Sequence, residues 1–311
     1  MRLSVSDINS FLVCEWDWWA RAVVRRIPRR PAAELYVGTF WHGLLAEATK
    51  TGSKTAALAS AIPRMAEMRD KIAVFGDEEE VQQFVDQAER LLSLFDHYSD
   101  FVADQETLFI ETPLEAPLPY WAGSKADHTL LGTPDRVLRT RDGKVWNVQY
   151  KTISDRTPIA VYVASQERSL HELVYSFLIE QKLALGDGQY GGTILNVTRK
   201  LSHKAIKERP ETAFIQEMIP IRPEEVKNAL FDIAVWADRM DDIANGRRQP
   251  TQNRLADLNR FGNVLSPYWD ARRGLVDLRD DRFFQNAEQR YDNGSPRAAD
   301  AKSHFAEEES R

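Results

Sequence analysis

The sequence predicts an α/β protein with an N-terminal helical region, and three observations predict it. Between residues 6 and 104, apolar positions recur mainly at helical spacing. From Leu108 the pattern turns to alternation, punctuated by Pro, Gly and an Asp-Gly turn. Helical periodicity then returns between the strand-like stretches, at 166–185 and 222–245.

Composition bounds the rest. At 311 residues and 43% hydrophobic content the chain can bury a large core, as one elaborated domain or a domain with a helical insertion. A formal charge of -6 makes no global electrostatic case for nucleic acid, but it leaves room for a local basic groove. The one cysteine, Cys14, excludes an intrachain disulfide, a Cys₄ zinc site and a Cys₄ iron–sulfur cluster. The start, MRLSVSDINSF, lacks the basic-then-apolar order of a secretory signal, and no run approaches the ~18 apolar residues of a membrane span. A soluble, cytoplasmic protein is the expectation.

Taken in order, residues 6–24 read as one helix with Ser6 as N-cap and Ile8, Phe11 and Leu12 at helical spacing. Trp16, Trp18 and Trp19 lead into a stretch carrying Arg21, Arg25, Arg26, Arg29 and Arg30. That stretch suits either an aromatic packing edge with a solvated basic turn or a phosphate-contacting arm. Gly38–Lys50 is a second helix with Trp41, Leu44, Leu45 and Ala48 on its apolar face and His42 beside it. Residues 54–104 are helical, broken at Gly76-Asp77. LFIETPLEAPLPYWAG, from Leu108, fits an edge strand running into a loop, with Glu111 inside it. ISDRTPIAVYVA reads as a loop. Gln166–Leu185 reads as a helix with Ser165 as N-cap, Gly186 past its end, and Leu170, Leu173, Val174, Phe177 and Leu178 facing the core. Arg168, His171 and Tyr175 share its flank. Two strands and the helix 222–245 follow. Residues 252–270 are expected to pack back on the core, and the polar tail from about Ala287 to be disordered.

Between Leu130 and Thr152 lies a hairpin, LLGTPDRVLRTRDGKVWNVQYKT. A three-residue turn, Arg141-Asp142-Gly143, with Gly143 left-handed, sets Thr140 opposite Lys144 and Asp135 opposite Gln149. A two-residue turn would set Asp135 opposite Tyr150 instead. In the first register Asp135, Gln149 and Lys151 share one face. Asp135 could then offer a charged oxygen and Gln149 an amide oxygen to Mg²⁺, while Lys151 orients a water or meets phosphate charge. The same residues could equally make an exposed ion pair worth ~0–1 kcal/mol.

The order of these motifs resembles the PD-(D/E)xK nuclease superfamily, in its RecB-type exonuclease branch with phage- and CRISPR-associated members. Ser6 to Trp16 is similar to that branch's opening. His42 in GTFWHGLL, Gly132-Thr133-Pro134-Asp135, Gln149-Tyr150-Lys151-Thr152 and His171–Tyr175 match its helical His, G-x-x-D, (D/E)-x-K and Q-x-x-x-Y motifs in turn. Two departures stand out: Gln149 for the acid and His171 for the glutamine. The resemblance implies a central mixed β-sheet flanked by helices, a restriction-endonuclease-like core, and hydrolysis of DNA with Mg²⁺ or Mn²⁺. It implies catalytic Asp135, Gln149 and Lys151, metal ligands among His42, Asp135, Gln149 and Glu111, and DNA or active-site contacts from Tyr175, His171 and Arg168, to which the basic arm would add Arg25 and Arg26. It divides the chain into a helical region (1–106), a core (107–250), a packing segment (251–286) and a tail (287–311). Cys14 stands where some members hold an iron–sulfur ligand, but the partner cysteines are missing, so no cluster is expected. Gln149 leaves three readings: an active site completed by Glu111 or His42, a non-cleaving protein that binds DNA or assembles with partners, or an introduced inactivating change.

Overall fold

The computed structural model describes residues 1–28, 33–74, 76–99, 105–167, 169–251, 278–279 and 284–286. Arg168, the 252–270 segment and the tail from 287 therefore lie outside the described residues. The described residues fall into two compact units: one from 1–29, 117–130 and 230–311, the other from 30–116 and 131–229.

The first unit opens with β1 (Arg2–Ser4), α1 (Val5–Val13), α2 (Glu15–Ala22) and β2 (Arg26–Pro28). The helix expected over 6–24 is thus two helices, and its cap is Ser4 rather than Ser6. Ser4 Oγ accepts from the Asp7 N–H at 3.1 Å, and Asp7 Oδ2 accepts from the Ser4 N–H at 3.2 Å. This reciprocal box outcompetes a start two residues later. Cys14 is buried and extended between the helices, which breaks the run.

The second unit holds α3 (Ala33–Thr51), α4 (Lys54–Ala73), α5 (Glu78–Phe95), β3 (Glu106–Ile110) and most of β4 (Leu114–Pro117). The chain returns to it within β5 (Thr129–Gly132) and continues through β6 (Arg136–Arg139), β7 (Val145–Ser154), α6 (Ile159–Gln166), α7 (Leu170–Leu183), β8 (Tyr190–Lys200), α8 (His203–Glu208) and β9 (Phe214–Ile219). It leaves within α9 (Pro223–Ala244), and β10 (Phe284–Asn286) pairs with β2 in the first unit.

The second unit is built on a five-stranded sheet, β3-β6-β7-β8-β9, in which β7 and β8 are parallel and the other neighbours antiparallel. This is the central mixed sheet that the sequence led us to expect. Against one face packs α3, whose Val37, Phe40, Trp41, Leu44 and Leu45 recur at helical spacing and are buried. Phe84, Ala88, Leu91 and Phe95 of α5 join the same cluster. The break before α5 falls where Gly76-Asp77 placed it: Asp77 caps the helix by accepting from the Glu80 N–H at 2.9 Å.

Two further helical expectations need correction. ISDRTPIAVYVA is not wholly a loop, because Ile159, Tyr162 and Val163 pack on Ile153, Leu195, Val197 and Ile219 and hold α6 helical. The next helix starts later than Gln166, capped by Ser169 and not Ser165, and ends on left-handed Ala184 rather than at Gly186. Its buried face is also rotated. Glu172, Val174, Ser176, Phe177, Leu178 and Ile179 point inward, whereas Leu170 and Leu173 are half-buried.

Candidate active site

The turn between β6 and β7 fixes the register. Gly143 adopts φ 83, its N–H donates to Thr140 O at 2.8 Å, and the Thr140 N–H donates to Lys144 O at 2.9 Å. This is the three-residue loop, and Arg136 pairs with Val148. Counting one step on sets Asp135 opposite Gln149.

At Asp135 the ladder divides. Its carbonyl still accepts from the Glu111 N–H at 3.0 Å on the β3 side. On the β7 side its carboxylate replaces the backbone, Oδ2 accepting from the Tyr150 N–H at 2.8 Å. Pro134 just before it has no N–H to keep the two strands paired. β7 runs on to Ser154 beside β8 alone, which opens the sheet at this point.

His42 reaches Asp135 from α3. It follows Trp41 at the margin of the apolar stripe, and its Nδ1 lies 3.4 Å from Asp135 Oδ1. Burial alone would push the Asp135 carboxyl up. The hydrogen bond and charge of His42, the charge of Lys151 and the Tyr150 N–H outweigh it and hold the group below its ordinary value. Asp135 is therefore an anion at neutral pH. Lys151 Nζ donates to Gln149 Oε1 at 2.9 Å, while Gln149 Nε2 is buried without a partner.

α7 lines the other side. Burial and the charge of Lys151 push the His171 imidazole down to about 4 against the pull of Asp135, so it is neutral at pH 7. Burial and the charge of Asp135 push the Tyr175 phenol up to about 12, though a bond from the Thr133 backbone counters them. Gly132 is required here because a Cβ on it would sit 2.5 Å from Tyr175 Cε1. The G-x-x-D segment is thus packed against the tyrosine of the later motif.

His42, Asp135, Gln149 and Lys151 therefore come together, with His171 and Tyr175 beside them. Glu111 adjoins Asp135 through its backbone, at a left-handed φ of 44, and its carboxylate lies 3.8 Å from Lys50 Nζ. Arg25 and Arg26 belong to the other unit. Arg26 is buried, with Nε donating to Leu278 O at 2.6 Å. Among the described residues no three His, Cys, Asp or Glu side chains converge as a metal site. The donors at hand are one carboxylate, one imidazole and one amide oxygen. They fit a divalent ion that keeps several waters and takes further oxygens from a phosphate. Sequence reasoning missed a buried polar group on α7: Glu172 Oε2 accepts from Asn147 Nδ2 at 3.1 Å and from Thr193 Oγ1 at 2.5 Å. The available signal was Asn147 itself, a polar residue two before Gln149 on a strand otherwise apolar on its opposite face.

The profile of the PD-(D/E)XK nuclease superfamily matches residues 2–257. The chain belongs to this superfamily. Two solved structures resemble this PD-(D/E)XK protein. One, from Eubacterium rectale and provisionally called an exonuclease, is 13% identical with a TM-score of 0.49, over 85% of this chain and 89% of its own. The other, called SSO0001, is 11% identical with a TM-score of 0.32, over 80% and 77%. No curated protein matches the chain in sequence. Among the described residues no helix of this nuclease-family protein is long and apolar enough to cross a membrane.

Proposed function

We propose that the protein is a Mg²⁺- or Mn²⁺-dependent deoxyribonuclease of the RecB-type exonuclease branch, acting on DNA ends. The observation that supports it most is the meeting of His42, Asp135, Gln149 and Lys151 where β6 and β7 part. Those residues come from three separate stretches of sequence, in the order of that branch's motifs. Asp135, His42 and the amide oxygen of Gln149 would hold the ion. When bound, such an ion withdraws charge from the phosphodiester and favours its hydrolysis.

The chain's own groups divide the remaining work. Asp135 is kept ionised by its neighbours. Lys151, held by Gln149 Oε1, presents an ammonium to the phosphate or to the attacking water. Neutral His171 and half-buried Tyr175 border Asp135 and Lys151 without adding charge, and they offer contact to the DNA strand. A second reading, a DNA-binding protein that does not cleave, is favoured by the single carboxylate among the donors.

The test is incubation with linear and circular DNA plus Mg²⁺ or Mn²⁺, beside Lys151→Ala. Loss of linear DNA alone, reduced at least about 100-fold in Lys151→Ala, is expected. Equal residual cleavage by both proteins sinks the nuclease reading. Salt-dependent binding without cleavage supports the second.

A further inference from the structure

Where α4 crosses α3, an arginine lies against a glycine. Gly43 is buried, and a Cβ built on it would sit 2.8 Å from Arg64 Cζ and 3.1 Å from its Cδ, so the side chain rests on the bare backbone of α3. An alanine at 43 would suit the helix better, and the arginine is what takes up that space. The residue before it, His42, is the one that meets Asp135. Arg64 is half-buried, its Nε is buried without a partner, and among the described residues it makes no hydrogen bond or ion pair. Glu67, one turn on in α4, feels its charge but accepts from Lys71 Nζ at 2.7 Å. Glu47, one turn past Gly43, leaves it unpaired as well. Lys50, two turns from Gly43 on the same side of α3, is answered by Glu111 at 3.8 Å. Other buried or half-buried arginines are committed, Arg21 to Asp7 at 3.2 Å, Arg136 to Thr107 at 2.8 Å and Arg199 to Asp155 at 3.0 Å. A guanidinium held partly out of water with its donors idle is costly, so this one calls for an acceptor that the protein does not supply.

We propose that Arg64, seated on Gly43, is a phosphate-binding residue for the DNA strand that reaches His42 and Asp135. This rests on the nuclease reading. The planar fork of an arginine matches two oxygens of a phosphate, and a setting partly shielded from water strengthens such bonds. α3 ties the seat to the site. It carries His42 to Asp135 and, one residue on, leaves the gap that receives the guanidinium, so a single rigid helix fixes both. The two positions are separated by about 100° around the helix axis, which places the seat beside the site instead of behind it. A strand whose reacting phosphate lies at Asp135 then offers Arg64 another of its phosphates, internal or terminal.

The test is binding of a labelled linear duplex, carrying a 5′-phosphate or a 5′-hydroxyl, to wild type, Arg64→Ala and Gly43→Ala in metal-free buffer over a salt series. Arg64→Ala is expected to weaken binding about tenfold and to lower the salt slope by about 0.7–0.9, the share of one phosphate. Gly43→Ala keeps the charge and displaces the guanidinium. It is expected to bind as weakly as Arg64→Ala while melting no lower than wild type. A loss confined to the phosphorylated end assigns a terminal phosphate, and an equal loss on both ends an internal one. Wild-type affinity and slope in either variant overturn the seat, as does a wild type that binds no DNA. Should Arg64→Ala not fold, Gly43→Ala decides alone. Cleavage in Mn²⁺ by wild type beside Lys151→Ala tests the nuclease reading separately. If the two cleave alike that reading falls, and the salt slopes still decide the seat.

Discussion

The two faces of β7 are built on opposite terms. Trp146, Val148 and Tyr150 point into an apolar cluster with Phe40, Trp41 and Leu44 of α3. Asn147, Gln149 and Lys151, interleaved with them, face a helix that meets them with an acid. Both rows share one backbone and one parallel neighbour, so the strand's position cannot account for the difference. The apolar row holds the strand by burial. The polar row is then held in place with little freedom, which lets unpaired buried atoms persist there instead of relaxing outward.

This comparison can be broken at its apolar side first. Val148→Asn removes burial worth about 1.5–3 kcal/mol. It also buries an amide lacking a partner, costing about 1–3 kcal/mol more. A fall in Tm large enough to leave much of the protein unfolded at 37 °C is expected in thermal denaturation. A Tm near wild type would mean that the apolar row is not what anchors the strand.

A smaller effect sharpens the link between the polar side and the G-x-x-D segment. Gly132→Ala would drive a methyl into the Tyr175 ring. Overpacking of this kind costs about 1–3 kcal/mol, and the displaced Asp135 should lower DNA cleavage further than the stability loss explains. Calorimetry beside cleavage rates on the same samples checks it.

The smallest effect is in pH dependence, where two acids of one site should act with opposite sign. Asp135 sits below its ordinary 3.8 in the fold, so it binds fewer protons there than in the unfolded chain. Its contribution is complete above that value and is lost as pH falls through the folded one. Glu172 sits above its ordinary 4.5, so the fold is disfavoured progressively as pH rises from there through the raised value. In metal-free melts from about pH 3 to 7, Asp135→Asn should remove a loss on the acid side and Glu172→Gln a penalty on the neutral side. Parallel pH profiles for the two variants would contradict these shifts.

Local chemistry made much of this legible in advance. The Arg141-Asp142-Gly143 turn set the register of β6 on β7, because only a left-handed Gly143 closes that loop with Thr140 opposite Lys144. The apolar stripe of α3 was equally readable, and with it the marginal place of His42. Caps were read less well, since Ser4 and Ser6, or Ser165 and Ser169, look alike until one of them finds its N–H partner.

By itself the sequence determined the α/β class and the hairpin, since each depends on spacing along one chain, while His42, Asp135, Gln149 and Lys151 were singled out as a set through the resemblance to the family. Only the tertiary structure decided which way α7 faces. A helix of Leu, Val and Phe has several apolar stripes to choose from, and the choice fell where Asn147 and Thr193 could bond Glu172. That acid lies 23 residues from Gln149 in the chain and has no local signature. Its place beside the site exists only because the strands and the helix are packed together.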